Sequence, residues 1–326
     1  MELILPIILL IVGFVLLIKG ADWLVDGASS IATHFKVSKT LIGLTIIAFG
    51  TSAPELAVSI SSLASGSTDM LLGNVIGSNV INVLLLIGVG ALICPIKVNK
   101  ETIRKEIPIL LLISTALVVL FLDSSINQSA VANAITRNDA IICLLFFAIF
   151  LYYLIAMAFR NREAKQAKKE KPKYKMGLAC LMTVVGLAGL IGGSQLVVNN
   201  ATEIAHAVGV SDRIIALTII ALGTSLPELV TTIIAARKKE TDLIVGNIIG
   251  SNIFNICIVM GLPVAIFGTI TPESFQMVDI VMLVLSALLL FIMTRRDEKV
   301  TRREGALMLL VFIVYYGYIV YEGLAA

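Results

Sequence analysis

Apolar stretches separated by short polar ones run along nearly the whole chain. Each stretch is about 17 residues or longer, which is enough for a helix to cross a bilayer. The pattern predicts ten membrane-spanning segments, at 3–28, 39–64, 70–94, 105–122, 139–159, 176–201, 212–235, 242–267, 277–294 and 305–321. The second and seventh segments contain glycine and proline beside polar residues, where a helix can break. We therefore expect an all-α membrane protein whose ten transmembrane helices include broken ones.

The composition agrees with a membrane location. Of the 326 residues, 58% are hydrophobic, and the mean hydropathy is +0.99; a soluble fold would expose too much of this apolar surface. The N-terminus enters an apolar segment directly, so we interpret it as the first membrane helix rather than a signal peptide. The four cysteines lack C-x-x-C spacing, and we expect neither a disulfide framework nor a metal cluster.

The basic residues fall in alternate loops. If the N-terminus is outside, 22 of the 25 Lys and Arg residues lie in loops on the cytoplasmic side, the largest group being the linker 160–175. Only Arg137 and Arg213 lie in loops on the outer side, and Lys19 lies in the first helix. Cytoplasmic loops are normally rich in basic residues. The distribution predicts an external N-terminus and a cytoplasmic central linker.

The chain contains an internal duplication. The ranges 41–62 and 214–235 align without a gap and share 13 identical positions of 22. Five predicted spans separate each element from its copy, so the two copies lie in opposite orientations in the membrane. We predict two inverted five-helix halves, 1–159 and 176–326, joined by the linker 160–175. Inverted repeats with interrupted helices are typical of secondary transporters.

Each copy places a carboxylate and a proline inside an apolar segment, as GTSAPE at 50–55 and GTSLPE at 223–228. A charge at mid-membrane costs at least ~2.5 kcal/mol, so Glu55 and Glu228 are candidate functional residues. Pro54 and Pro227 each leave the carbonyl one turn earlier without an N–H donor. Carboxylates beside freed carbonyls predict a cation site near the middle of the membrane.

A second duplicated motif follows each carboxylate, as GNVIGSNVIN at 73–82 and GNIIGSNIFN at 246–255. Its glycines permit close helix contact. Its Ser and Asn side chains form a polar stripe that could bind cations or could join helices. We favour cation binding for Ser78, Asn82, Ser251 and Asn255, whereas Asn74, Asn79, Asn247 and Asn252 fit either interpretation.

The candidate ligands are all oxygens: the carboxylates, the hydroxyls of Thr51, Ser52, Thr224 and Ser225, amide oxygens and freed carbonyls. Hard cations such as Ca²⁺ and Na⁺ prefer such ligands, whereas zinc and copper prefer nitrogen or sulfur. Two carboxylates balance one divalent ion. Mutually exclusive binding of Ca²⁺ and Na⁺ at the carboxylate pair would be sufficient for exchange.

The paired motifs resemble the alpha repeats of the Na⁺/Ca²⁺ exchangers in the cation/Ca²⁺ antiporter superfamily, and the ten-segment plan extends this resemblance over essentially the whole chain. The resemblance implies that Glu55 and Glu228 bind Ca²⁺ together with backbone oxygens of Thr51 and Thr224. It also implies Na⁺ positions completed by further groups, namely the carbonyls of Ala48 and Ala221, the hydroxyls of Ser52, Ser78, Ser225 and Ser251, and the amide of Asn82. The expected motion is sliding of the first helix of each half across the other eight.

One departure concerns the coupling ion. Many prokaryotic relatives and the K⁺-dependent branch have Asp where this chain has Asn255, which argues against K⁺ coupling. The Ca²⁺/H⁺ exchangers usually have a different, glutamate-ended motif at GNVIGSN, which disfavours H⁺ coupling. H⁺ or K⁺ coupling remains the alternative to Na⁺, and a cation channel is a further alternative. No Ser–His pair or HExxH motif supports an intramembrane hydrolase.

The remaining expectations concern partners and a charged group in the first helix. We expect transported Ca²⁺ and Na⁺, a prokaryotic cell membrane, no cofactor, no enzymatic step, no nucleic acid and no obligate protein partner. Lys19, Asp22 and Asp26 lie at i, i+3 and i+7. We favour an ion pair near the cytoplasmic end of this helix, with a role in cation entry as the alternative.

Overall fold

The computed structural model describes residues 3–122, 126, 133–164, 171–209, 219, 221–272 and 277–325. The first half contains helices α1 (Ile4–Phe35), α2 (Lys39–Thr51), α3 (Ala53–Ala64), α4 (Thr68–Ile93), α5 (Lys100–Arg104), α6 (Glu106–Phe121) and α7 (Arg137–Ala164). The second half contains α8 (Met176–Ala207), α9 (Ala221–Gly223), α10 (Leu226–Arg237), α11 (Thr241–Phe267), α12 (Met277–Asp297) and α13 (Arg302–Ala325). The predicted all-α membrane architecture is confirmed.

Among the described residues, seven helices are long and apolar enough to cross a membrane, and α2 with α3 can form one further broken span. Of the two other predicted segments, 105–122 is the 16-residue helix α6. The segment 212–235 is described at 219 and from 221 onward, so most of its first half lies outside the described residues. Arg213 and part of the linker 160–175 also lie outside them.

The breaks expected in the polar spans are present. Helices α2 and α3 meet at Ser52 with a bend of 42°, because Pro54 cannot donate a hydrogen bond to the preceding turn. Helices α9 and α10 are separated in the same way by Thr224 and Ser225. In addition, π-helical turns occur at Gly43–Ile47, Ile81–Leu86 and Asn255–Met260. Such turns are frequent at functional sites.

The first helices of the two halves, α1 and α8, pack against each other along a seam of small residues. Each has 32 residues and is about 48 Å long, longer than the spans predicted at 3–28 and 176–201. A Cβ built on Gly20 would lie 2.8 Å from the carbonyl oxygen of Gly186, and one built on Gly186 would lie 2.7 Å from that of Gly20. This reciprocal contact lets the two backbones touch.

Two short β pairings connect the halves. Strand β1 (Ile96–Lys97) is antiparallel to β2 (Lys299–Val300), with Ile96 opposite Val300. A separate bridge joins Ile135 to Ile270. The sequence analysis predicted neither pairing. In each case a residue shortly after α4 or α11 pairs with a loop of the other half, so the halves interlock rather than stand apart.

Several of the predicted cytoplasmic loops meet at one end of the molecule. Lys100 pairs with Glu298 at 3.2 Å, and Lys39 pairs with Glu240 at 2.8 Å. Asn99 donates a hydrogen bond to Asp242 at 2.9 Å. These contacts connect loops that the alternation of basic residues had placed on one side.

The acidic residues of α1 also reach this end. Nζ of Lys238 lies 2.7 Å from carboxylate oxygens of both Asp22 and Asp26, and Lys173 lies 2.7 Å from Asp26. The expected ion pair is therefore present, but its basic partners come from the end of α10 and from the linker, not from Lys19. Helical spacing alone could not reveal partners so distant in sequence. The hydrogen bond from Lys173 to Asp26 raises the pKa of that ammonium.

Candidate cation site

The two carboxylates lie deep inside the protein. Glu55 is 1% exposed and Glu228 is 0% exposed, so neither faces lipid. Each lies in the first turn of the helix that follows a break, α3 or α10. The two breaks meet, because Ser52, three residues before Glu55, contacts Glu228. The N-terminal turn is a favourable place for a carboxylate, because the helix dipole is positive there.

The first break supplies hydroxyl groups to the second carboxylate. Ser52 donates a hydrogen bond to Oε1 of Glu228 at 3.3 Å, and Thr51 also lies beside Glu228. Thr51 donates to Oδ1 of Asn247 at 3.3 Å. Residues from opposite halves of the chain therefore form one cluster.

The carbonyl of Ala48 belongs to the same cluster. Ser251 donates a hydrogen bond to it at 3.4 Å, and the hydroxyl of Thr51 lies 3.5 Å from it. The backbone N–H of Ser52 donates to it at 3.1 Å. Because Gly246 and Gly250 let α11 approach the backbone of α2, with a built Cβ of Gly246 only 2.4 Å from the carbonyl oxygen of Thr40, Ser251 can reach this carbonyl.

The polar stripes of α4 and α11 contact each other. Asn82 donates a hydrogen bond to Oδ1 of Asn252 at 3.0 Å, and Asn255 donates to Oγ of Ser78 at 3.0 Å. Asn252 donates to the backbone carbonyl of Asn79 at 3.1 Å. The amide groups therefore join the two halves, whereas Oδ1 of Asn82 and Oδ1 of Asn255 lack a hydrogen-bond partner among the described residues.

Asn74 has a supporting position. Its side chain donates to the backbone carbonyl of Glu55 and to Oγ of Ser59, both at 3.0 Å. This arrangement holds α3 against α4 and fixes the backbone that presents Glu55. The contacts of Asn74 and Asn252 are those of helix-joining residues, whereas the side chain of Asn79 donates to the carbonyl of Val75 in its own helix at 2.6 Å.

Most of the candidate residues lie together and are buried. Exposure ranges from 0 to 3% for Ala48, Thr51, Ser52, Glu55, Ser78, Asn82, Glu228, Ser251 and Asn255. Ser225 is buried, and its hydroxyl has no partner among the described residues. Thr224 and Ala221 lie at the second break, where Thr224 is partly exposed. The structure gives neither a hydrogen bond to the other candidates that it describes.

Buried oxygens without donors are the main chemical feature of this cluster. Oε2 of Glu55, Oε2 of Glu228, Oδ1 of Asn82 and Oδ1 of Asn255 have no hydrogen-bond partner in the part of the chain that the structure describes. Leaving such a group unpaired costs about 1–3 kcal/mol, and more when it is charged. Across those same residues, no group of three or more His, Cys, Asp or Glu side chains could hold a metal. Any cation here would be bound by two carboxylates and neutral oxygens.

Sequence reasoning missed three interactions. Ser194 of α8 donates a hydrogen bond to the carbonyl of Gly223 at 2.8 Å, which joins the first helix of the second half to the second break. The available signal in the sequence was a hydroxyl beside Gly193 on an otherwise apolar face.

Glu106 is 0% exposed and accepts a hydrogen bond from Tyr153. At the equivalent position of the second half, Asp279 accepts from Tyr315 at 2.7 Å. Both halves therefore pair an acid at the equivalent position with a tyrosine, although Asp279 is only partly buried.

Comparison with known proteins agrees with the duplicated architecture. The family model for sodium/calcium exchanger proteins matches residues 5–156 and 178–321. A putative antiporter CaxA of Alkalimonas amylolytica is 40% identical over 319 residues, covering 94% of this chain and 96% of that protein. The sodium/calcium exchanger MaX1 of Methanosarcina acetivorans is 29% identical over 341 residues, with coverage of 94% and 96%.

A solved structure shares the whole fold. The sodium-calcium exchanger NCX_Mj, soaked with Na⁺ and Sr²⁺, superposes with a TM-score of 0.82 at 31% identity. The superposition covers 96% of this chain and 98% of that chain. Matches in sequence and in structure therefore extend over both halves. The chain belongs to the sodium/calcium exchanger family.

Proposed function

We propose that this protein is a secondary antiporter that exchanges Na⁺ for Ca²⁺ at the cluster around Glu55 and Glu228, with Na⁺ influx driving Ca²⁺ export. The observation that supports this proposal best is the pair of buried carboxylates with unpartnered oxygens beside unpartnered amide oxygens, all within the described residues. A bare pair of anions in low dielectric repels, so cations stabilise the site when they bind. Ca²⁺ satisfies both charges at once, and several Na⁺ ions can replace it.

The proposed ligand set is the one that the resemblance to the exchanger family implies. Glu55 and Glu228 bind Ca²⁺ with backbone oxygens of Thr51 and Thr224. The Na⁺ positions use the carbonyls of Ala48 and Ala221 and neutral side-chain oxygens of Ser52, Ser78, Asn82, Ser225 and Ser251. The hydrogen bonds from Ser251 to Ala48 and from Ser52 to Glu228 support this set, because they place hydroxyl oxygens beside the other candidate ligands.

We also propose a cell-membrane location with the N-terminus outside. The supporting observation is that several basic loops contact one another at one end of the molecule. Because cytoplasmic loops are rich in Lys and Arg, this end faces the cytoplasm.

The coupling ion is tested by Ca²⁺ flux in proteoliposomes with Na⁺, K⁺ or a pH gradient as the only driving force. We expect Ca²⁺ uptake with the Na⁺ gradient alone. Uptake driven only by K⁺ or by pH would reassign the coupling ion. A channel would instead pass Ca²⁺ without any counter-ion gradient.

A third acidic residue in the cluster should impair Na⁺ coupling. Asn255 is fully buried, and its amide donates a hydrogen bond to Ser78. Asn255→Asp removes that donor and adds a negative charge, which is unfavourable near the two carboxylates already present. We expect Na⁺-driven uptake to fall about tenfold, which corresponds to roughly 1.4 kcal/mol. The control is Asn199→Asp, the same change at an exposed amide of α8. Equal loss in both variants would show that the position of the added charge is unimportant.

The contact between α1 and α10 should favour the state that is closed to the cytoplasm. Alternating access moves α1 relative to the helix that bears Glu228, and the pairs of Asp22 and Asp26 with Lys238 join these helices. We expect Lys238→Gln to increase the population of the state open to the cytoplasm about threefold. The effect is modest because partly exposed ion pairs contribute little free energy. Cysteine accessibility from each side of the membrane measures this shift. Lys239→Gln removes an exposed charge next to it and should leave accessibility unchanged; an identical shift in both variants would contradict the role of the pairs.

A further inference from the structure

A groove of about 740 Å³ lies between α6 and α7, away from the cation cluster. Its walls are apolar, with Ile109 and Leu112 on α6 and Ala156 and Met157 on α7. Leu112 is 64% exposed. In a membrane protein, such a wall faces lipid, so the groove is open to the surrounding hydrocarbon.

The polar end of the groove is basic. Arg104 and Lys105 line it at the junction of α5 and α6, together with Glu101. Glu101 lies 3.9 Å from Lys105, so one negative charge accompanies the two positive ones. Arg104 is exposed, and the structure gives it no acidic partner among the residues it describes. The groove therefore combines a net positive end with an apolar channel.

The base of the groove is fixed. The ring of Tyr153 lines it, while the hydroxyl of Tyr153 donates to the buried carboxylate of Glu106 on α6. Glu106 is 0% exposed, so its charge lies behind the tyrosine and not at the groove surface. This contact holds α7 against α6 and maintains the separation that the groove requires.

The positive charges of the groove are not part of the duplicated scaffold. In the alignment of the two halves, positions 104 and 105 correspond to Met277 and Val278, and neither of these is charged. The acid at the base, in contrast, is duplicated, as Glu106 and Asp279. The two cations are therefore a feature of the first half alone. They lie at the end where the basic loops meet.

We propose that the groove binds one anionic phospholipid. Its phosphate lies at Arg104 and Lys105, and an acyl chain follows Ile109, Leu112 and Met157. Basic pockets between transmembrane helices attract anionic head groups, at about 1 kcal/mol for each basic residue. A free phosphate ion would leave the apolar walls unused, and a zwitterionic lipid would gain less from the guanidinium of Arg104. This site is separate from the proposed transport site.

Native mass spectrometry of the purified protein tests the proposal. Phosphatidylglycerol or phosphatidylcholine is added in detergent, and the lipid retained is compared for the wild type, the R104Q/K105Q variant and the control variant K299Q/R303Q. Lys299 and Arg303 are exposed and lie outside the groove, so the control removes the same net charge from the same end.

We expect the wild type and the control variant to retain phosphatidylglycerol about tenfold more than phosphatidylcholine. R104Q/K105Q should retain both lipids equally. Equal retention of the two lipids by the wild type, or unchanged selectivity in R104Q/K105Q, would overturn the proposal. So would competition by inorganic phosphate, since that would show a binding site for the head group alone.

The binding assay is independent of ion exchange. Na⁺-driven Ca²⁺ uptake and size-exclusion profiles of the same variants establish that each is folded. A protein that binds phosphatidylglycerol but exchanges no Ca²⁺ would contradict the proposed function and leave the lipid site intact. The reverse result would remove only the lipid site.

Discussion

We expect Glu228→Gln to abolish Na⁺-driven ⁴⁵Ca²⁺ uptake into everted vesicles. Gln keeps the size of the side chain and can accept the hydrogen bond from Ser52, but it removes one of the two negative charges in a fully buried cluster. Without Glu228, a bound Ca²⁺ would lack one of its two compensating charges, and removing one partner of a buried ion pair costs about 3–5 kcal/mol. Because about 1.4 kcal/mol corresponds to tenfold, we expect at least about a 100-fold decrease in rate. Glu55→Gln should behave in the same way.

A matched control is available at Glu106. This carboxylate is as buried as Glu228 and also accepts a hydrogen bond, from Tyr153, but it lies outside the cation cluster. Glu106→Gln therefore makes the same chemical change in a similar environment. It should retain exchange within about threefold of wild type, since only a neutral hydrogen bond replaces a charged one. Wild-type rates in Glu228→Gln and Glu55→Gln, with normal insertion, would contradict the proposed site.

The second large effect is expected at the seam between α1 and α8. In Gly186→Val, the new Cβ would lie 2.7 Å from both the carbonyl oxygen of Gly20 and the backbone N of Leu24. Backbone atoms cannot turn aside as a flexible side chain can, so the helices must separate. Overpacking of this kind costs about 1–3 kcal/mol and sometimes more. We expect a fall of several degrees in the melting temperature, roughly 5 °C, in fluorescence-detected size exclusion.

Reciprocity and position supply the controls for the seam. Gly20→Val should destabilise to a similar extent, because its Cβ would lie 2.8 Å from the carbonyl oxygen of Gly186. Gly192→Val, on the exposed face of α8, adds the same side chain where no described atom lies within 4 Å. If Gly192→Val lowered the melting temperature as much as Gly186→Val, general helix propensity and not the seam would explain the loss.

The sequence was informative about features whose energetic cost arises within a short segment and about motifs that occur in both halves. A glutamate in an apolar segment is energetically costly, which marks it as a candidate functional residue. The recurrence of the same motif in the second half identifies Glu55 and Glu228 as equivalent. The breaks at Ser52 and Ser225 follow from the missing N–H of a proline. Alternation of basic loops also grouped segments such as 97–105 and 295–303, which the structure joins through β1 and β2.

Other features depend on contacts between segments far apart in the sequence, which the hydrophobic pattern of a single segment does not predict. The π turns at Ile81–Leu86 and Asn255–Met260, the contact of Ser194 with Gly223, and the contact of Tyr153 with Glu106 arise only when helices are packed. The partner of Asp22 and Asp26 is a further example. The nearby Lys19 was the natural candidate in sequence, yet Lys238 lies 2.7 Å from both acids because α10 ends beside α1.

The sequence by itself determined the membrane-spanning helices, the inverted duplication and the two buried acids, because hydrophobic length, repeated motifs and the cost of a charge in lipid are all properties of short segments. Only the tertiary structure decided which oxygens lie next to those acids, how the halves interlock through Ile96–Val300 and Ile135–Ile270, and where a basic groove opens toward lipid. These features require side chains from distant segments to meet. Their positions therefore follow from the packing of the whole chain.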